Sequence, residues 1–284
     1  MSLKKIKSIT TETFFNTETD NPNGFVSSYI EYDENDNIIY SESYSNDNEF
    51  EHKTESKYDS NGLLKEEIVY FSEDEISEQS VYEHDEDGEV VKITTRFADG
   101  NISIKEYTRD NSNNSVTISI FDESGNLEDK TIYYYDEPGN LITKEVYNDL
   151  EKLTEKYTNE YAENARLIKQ TEYGKNNEVI LESSLIYDDN GNLIKQLSYN
   201  KKREIVNKLV FNYSEDNRLI EQYVNNSYVT KYTYDNELRT KTEQRFNDKG
   251  ILEYELISKF DEDNLLIEEK YLMTTIKYIY DFFE

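Results

Sequence analysis

The sequence predicts an all-β fold: a long antiparallel meander of about 22 strands built from β-hairpin repeats, wound into a curved or spiralling single-layer sheet. Three observations predict it. First, an aromatic residue is followed six positions later by a large apolar one, as at Tyr135/Leu141, Tyr161/Leu167 and Tyr187/Leu193. Second, these marks are periodic: Tyr135, Tyr161, Tyr187 and Tyr213 lie 26 residues apart, and Tyr147, Tyr173 and Tyr199 interleave at the same spacing. A fixed period of this size is the mark of a repeat architecture. Third, turn-formers such as Asp189-Asn-Gly191 fill the gaps, and the stretches between are rich in β-branched and aromatic residues.

Taken in order, Tyr32/Ile38, Tyr44/Phe50, Tyr58/Leu64 and Tyr70/Ile76 mark the first hairpins, and His84 stands where the next aromatic is expected. From Phe97 to Asn114 the spacing slips, which reads as a local kink. The best-defined repeats run over 121–272, from Phe121/Leu127 to Phe260/Leu266. Between Tyr223 and Tyr234 the turns crowd together. No stretch is persuasive as a helix, and Asn264 to Glu284 is the most ambiguous. The pattern resumes after each irregularity, so residues 1–284 read as a single hairpin-repeat domain. Loops this short join antiparallel neighbours.

The side-chain period of two assigns faces. Within their strand Leu193, Lys195, Leu197 and Tyr199 share a face, and within theirs Ile205, Asn207, Leu209, Phe211 and Tyr213 share one. Charges sit mid-strand on both faces, as at Lys195 and Lys208. A sandwich needs one cleanly apolar face. A membrane barrel of this strand number needs an uncharged band toward lipid, so membrane insertion is not expected. The expected remainder is a curling ribbon with its tyrosines on the inner face and unpaired edges near Lys4 to Phe15 and Ile276 to Phe282.

Composition narrows the function. Hydrophobic residues make up 35% and charged residues 32%, so the core should be thin. The 26 tyrosines and 12 phenylalanines are too many for an acidic disordered chain. The 9 glycines and 2 prolines are too few to build the turns, which falls to Asn and Asp. A net charge of −30 repels nucleic acid and anionic lipid, favours basic partners, and keeps charged sheets apart. There is no cysteine, which excludes disulfides and thiolate chemistry. No run of 18 apolar residues and no apolar stretch after Met1 reads as a membrane helix or a signal peptide.

The motif Tyr-Asp-x-x-Gly-Asn-Leu-Ile, at Tyr135 to Ile142 and Tyr187 to Ile194, resembles the YD repeat of the Rhs family. Phe121 to Leu127 and Tyr58 to Leu64 are variants, and Ala165-Arg-Leu167 and Asn217-Arg-Leu219 resemble the family's Arg-Leu ending. The likeness spans about Tyr32 to Leu272, and MORN-like variant repeats are a weaker resemblance. The YD resemblance implies a bacterial protein, exported or at the cell surface, built as a spiral β-sheet shell that in some members encloses a toxin. The 26-residue period is longer than the usual YD repeat. With prolines only at Pro22 and Pro138, the chain has no Asp-Pro-x-Gly motif.

Candidate chemistry is sparse. The acidic turns Asp33 to Asn37, Asp85 to Asp87, Asp188 to Asn192 and Asp261 to Asp263 offer oxygens as calcium loops do, but lack the bidentate Glu at the twelfth position. Asp and Asn in such turns ordinarily cap their own backbone. His52 and His84, the only histidines, belong to no metal-spaced cluster or nucleophile arrangement. The tyrosine rows could stack on a ligand, or serve as ordinary cross-strand packing. No catalytic, cofactor or metal residue is assigned. The expected function is a non-catalytic bacterial scaffold binding a protein partner, possibly basic, through its surface or sheet edges. The alternative is a shell fragment of an Rhs-type toxin-delivery protein.

Overall fold

The structure, a computed structural model, describes residues 5–16, 24–225 and 227–284. It is all-β, with 22 strands in one antiparallel sheet, as the turn count predicts. The chain begins with β1 (Ile6–Phe15), β2 (Gly24–Tyr32), β3 (Ile38–Tyr44), β4 (Phe50–Tyr58), β5 (Leu64–Tyr70), β6 (Ile76–His84) and β7 (Val90–Phe97). There follow β8 (Ile102–Asp110), β9 (Ser115–Asp122), β10 (Leu127–Tyr135), β11 (Leu141–Asn148), β12 (Leu153–Tyr161), β13 (Leu167–Tyr173) and β14 (Val179–Tyr187). Next come β15 (Leu193–Asn200), β16 (Ile205–Tyr213), β17 (Leu219–Val224) and β18 (Tyr228–Asp235). The last are β19 (Thr240–Asn247), β20 (Leu252–Phe260), β21 (Leu266–Tyr271) and β22 (Thr274–Phe282), so the ambiguous stretch from Asn264 is two strands.

The expected open ribbon is corrected. β1 pairs with β2 on one side and with β22 on the other, through Ile9↔Tyr280 and Thr13↔Ile276, so the sheet closes into a β-barrel. The two terminal strands, expected as free edges, satisfy each other's backbone groups instead. Phe283 N–H donates to Lys5 O at 3.0 Å and Asn16 N–H to Met273 O at 2.9 Å, which ties off both ends of this seam. Lys4, named as part of an edge, lies outside the described residues.

By proximity the chain forms two compact units. The first takes in Met1–Ser103, Tyr234–Glu243 and Tyr254–Glu284 and contains the β22–β1–β2 seam. The second takes in Ile104–Thr233 and Gln244–Glu253 and contains the unbroken antiparallel run β9 to β18.

Most of the marked turns share one construction. Between β14 and β15, Asp188 N–H donates to Asn192 O and Gly191 N–H to Asp188 O, both at 3.0 Å. The residue four places after the aromatic takes a left-handed conformation, which closes the turn. Gly191 does so at φ 91°, but elsewhere the place is held by Asn217 (60°), Ala165 (58°), Glu151 (55°) and Arg203 (64°). One residue is then extra: Ile186 faces Lys195 and Tyr187 faces Leu193, leaving Ile194 as a bulge. The tyrosine hydroxyl spans the neighbouring strand. Tyr187 donates to Leu167 O (2.8 Å), Tyr161 to Leu141 O (2.9 Å) and Tyr213 to Leu193 O (3.0 Å). Each acceptor opens the strand beside the donor, at the bulge of the preceding hairpin.

The core is as thin as composition predicts. Among the described residues, Ile68, 9% exposed, is the buried hydrophobic one. The other buried side chains carry hydroxyls. Ser183 and Ser198 face each other across β14 and β15 with their oxygens 2.8 Å apart, both buried. The single inward tyrosine face is corrected as well. The registers put Tyr161, Tyr187 and Tyr213 on the face of Ser183, and Tyr173 and Tyr199 on the opposite face with Glu182. Successive turns lie at opposite strand ends, and the tyrosine changes face with each. Tyr187 is half-buried, less than a core tyrosine.

Two predictions follow from the turn. Replacing Ala165 with Gly relieves a left-handed alanine and should raise stability by about 1 kcal/mol, while Gly191→Ala should lower it by about as much. Tyr187→Phe should cost about 1 kcal/mol, the net worth of its hydrogen bond to Leu167 O. Urea unfolding of the three variants checks all of this, and a destabilised Ala165→Gly would refute the strain account.

Candidate interaction surface

The acidic turns are built to hold themselves. Asp33 Oδ1 accepts from Asn35 N–H (2.8 Å) and Asn37 N–H (3.0 Å), and its Oδ2 accepts from the Asn37 side chain (2.9 Å). Asp136 with Asn140 and Asp188 with Asn192 repeat this pattern, and Asp85 and Asp261 accept from two backbone amides each. The carboxylate that would lead a calcium loop is thus spent on its own turn. Among the described residues, no group of His, Cys, Asp and Glu is arranged to hold a metal ion.

What these turns leave outward is charge. In the second unit, the turns 136–140, 162–166, 188–192 and 214–218 lie at one end of the strands, and seven carboxylates against two arginines leave them at −5. The tips Glu137, Asp189 and Glu215 are exposed. Hydrogen bonds in each turn fix its backbone, so the carboxylates project from ordered positions.

The strands between carry charge on both faces. On the face of Ser183 stand Lys144, Glu155 and Glu172. On the other, Lys156 pairs with Glu145 at 2.9 Å, and Lys169 bridges Glu160 (2.9 Å) and Glu182 (3.4 Å). No helix among the described residues is long and apolar enough to cross a membrane, which says nothing of the strands. The strands themselves place these charges mid-length.

The remaining candidates stand apart. His52 is exposed on β4 with its Nε2 2.8 Å from Thr54 Oγ1, and His84 is half-buried at the end of β6. The structure does not bring them into a catalytic arrangement. A groove of about 550 Å³ at the seam is lined by Phe14, Lys270, Leu272 and Lys277 among others. Lys277 faces Glu268 on one neighbour and Glu12 on the other, which balances the charge there. Sequence reasoning did not find this groove, because nothing local joins β1 to β22. The tyrosine rows are tied up in their own sheet: the hydroxyls of Tyr147 and Tyr223 donate to Glu145 (2.7 Å) and Glu221 (2.9 Å).

No protein-family model matches the chain, and no curated protein matches it in sequence. Among solved structures it is similar to the TcdB2-TccC3-Cdc42 crystal structure, at 12% identity and a TM-score of 0.44, over 89% of this chain. The chain spans only 15% of the length of that one. It is also similar to a porin-like protein from Bacteroides uniformis, at 11% identity and a TM-score of 0.36, over 97% of this chain and 96% of that one. A porin-like protein from Bacteroides vulgatus matches at 10% identity and a TM-score of 0.22, over 98% and 99% of the two chains.

The turn caps and tyrosine–glutamate pairs set a pH window. The Asn192 side-chain amide, above all, holds the Asp188 carboxyl below the usual carboxylate range, and Asn37 does the same for Asp33. The stability they contribute is complete above the unfolded value of about 3.9 and is lost as pH falls through the lower folded value. Burial, and then the bond to Glu145, holds the Tyr147 hydroxyl above its ordinary range. That contribution is complete below about 10 and is lost as pH rises through the folded value. Relief of the net charge works the other way as pH approaches the isoelectric point near 4.4, so the acid loss should emerge below it. Thermal melts followed by circular dichroism should show the midpoint falling at both limits. Tyrosine ionisation read by near-ultraviolet absorbance should lag behind that of free tyrosine.

Proposed function

We propose that this chain is a non-catalytic scaffold: a closed sheet of hairpin repeats that presents ordered acidic turns to a basic protein partner. The supporting observation is the row of turns at 136–140, 162–166, 188–192 and 214–218, each locked by its own hydrogen bonds and together carrying −5. A rigid, repeated anionic row offers charge complementarity without ordering cost, which favours fast and salt-sensitive association. With β1 and β22 paired to each other, addition of a partner strand at those edges has no open site, so binding belongs to the turns and faces. The mid-strand charges on both faces favour a barrel in water over one in lipid.

The Tyr-Asp turns support a second reading, a shell fragment of an Rhs-type delivery protein, for which export or surface exposure is expected. A toxin or secretion gene beside the coding sequence would favour it.

A labelled oligolysine peptide tests the first reading. It should bind, and the charge reversals Glu137→Lys with Asp189→Lys should weaken binding at least about tenfold. The same change at Glu73 and Glu75 should do much less. Equal losses from both pairs would reduce the effect to overall charge and overturn the ordered row.

A further inference from the structure

The opposite strand ends of the second unit differ in character. The turns 148–152, 174–178 and 200–204 join β11 to β12, β13 to β14 and β15 to β16, and they lie at the end away from the acidic row. Five basic residues against four acids leave these three turns at +1, in a chain whose net charge is −30. Three of the four acids here are engaged. Glu151 pairs with Lys130 (2.5 Å), Glu178 accepts from Asn176 N–H (3.0 Å), and Glu204 accepts from the Asn200 side chain (2.8 Å). The side chains of Lys152, Lys175, Lys201 and Lys202 stand exposed. The row is bounded, since the next turn on one side holds Asp122 and Glu123 and the turn after β17 carries no charge.

The same end is apolar. Leu150 is 65% exposed, Ile205 55%, Val206 48% and Ile180 46%. They sit on the three consecutive hairpins that carry the lysines. Exposed aliphatic residues gathered in one place mark an interaction surface, whereas the same residues scattered singly do not.

We infer that this basic, apolar end docks the acidic end of a second copy of the chain, head to tail. Charge complementarity chooses the occupant, and the repeat sets its fit. Turns at either end come from the same strands, so neighbouring turns are two strands, about 10 Å, apart at both ends. A lysine turn of one copy can therefore face an acidic turn of the next along the whole row. The acidic end also exposes Ile142, Ile168 and Ile186. The net charge of −30 opposes association at long range, but at about 0.15 M salt charges more than about 8 Å apart are screened, and the facing turns are closer than that. The contact is heterologous, so it leaves one end of each kind free and extends into open chains unless rotation closes a ring. It stands independently of any foreign partner at the acidic row.

Sedimentation velocity over a concentration series tests this with one pair of variants. Wild-type protein should gain mass with concentration at about 0.15 M salt and lose part of that gain at about 0.5 M, where the screening length is about 4 Å. Lys201→Glu with Lys202→Glu, and Glu137→Lys with Asp189→Lys, should each weaken association at least about tenfold, because the first makes both ends acidic and the second removes most of the charge of the acidic row. An equimolar mixture of the two variants should recover association as far as a pair, since the native acidic end of the first then meets the native basic end of the second, and recovery also shows both are folded. A wild type that stays monomeric at every concentration overturns the proposal, as do variants that associate like wild type. Failure of the folded mixture to recover overturns it as well. Binding of wild type to vesicles rich in phosphatidylserine without self-association would assign the same end to an anionic lipid surface instead.

Discussion

Everything in this sheet depends on one turn. In most copies an Asp, Asn or Ser opens it and accepts from amides within it, and the residue four places after the aromatic turns left-handed to bring the chain back. The bulge that follows shifts the register by one residue at the same place each time. Register between β-strands is usually imposed by a buried face. Here little is buried, so the turn imposes it, and the tyrosine hydroxyl on the next strand's carbonyl carries the setting from hairpin to hairpin.

Cohesion between strands is correspondingly local. Serine hydroxyls meet across the middle of the sheet, ion pairs such as Lys156–Glu145 cross it on one face, and tyrosine hydroxyls donate to carbonyls of the neighbouring strand near its end. Each of these is worth little alone. Repeated along many strand pairs, they replace the packed interior that a chain with 35% hydrophobic residues cannot supply.

Most of the local architecture was legible. Tyr187 and Leu193 bracket their turn as read, and the crowded turn near Tyr223 is real, with Tyr223 still facing Val229. The left-handed residue was legible at Gly191 but not at Ala165 or Glu151, whose side chains give no sign of that conformation. The faces were half legible: alternation within a strand is a property of the strand, but the change of face from Tyr187 to Tyr199 depends on the bulge between them. Closure was not legible, because Ile9 and Tyr280 meet through the accumulated twist and register of every strand between them, and no local signal encodes that sum. The interaction surface was legible as composition only. Charge segregation between the two ends emerges once alternate turns are known to share an end.

The seam between β1 and β22 also has a kinetic meaning. Among the described residues every other strand pairing joins strands adjacent in sequence, whose loops close quickly. Thr13↔Ile276 spans nearly the whole chain and gains nothing until the hairpins before it are in place. The sheet can therefore grow from any hairpin, while its completion is a single late event with the two outermost strands exposed until then. Once made, the seam removes the distinction between first strand and last. Backbone groups of Lys5 and Phe283 lie 3.0 Å apart, so a short linker could join the ends and a new start could be cut at a turn such as 188–192. A circularly permuted chain of that kind would place its slow step between β14 and β15 and leave β22 and β1 as an ordinary hairpin.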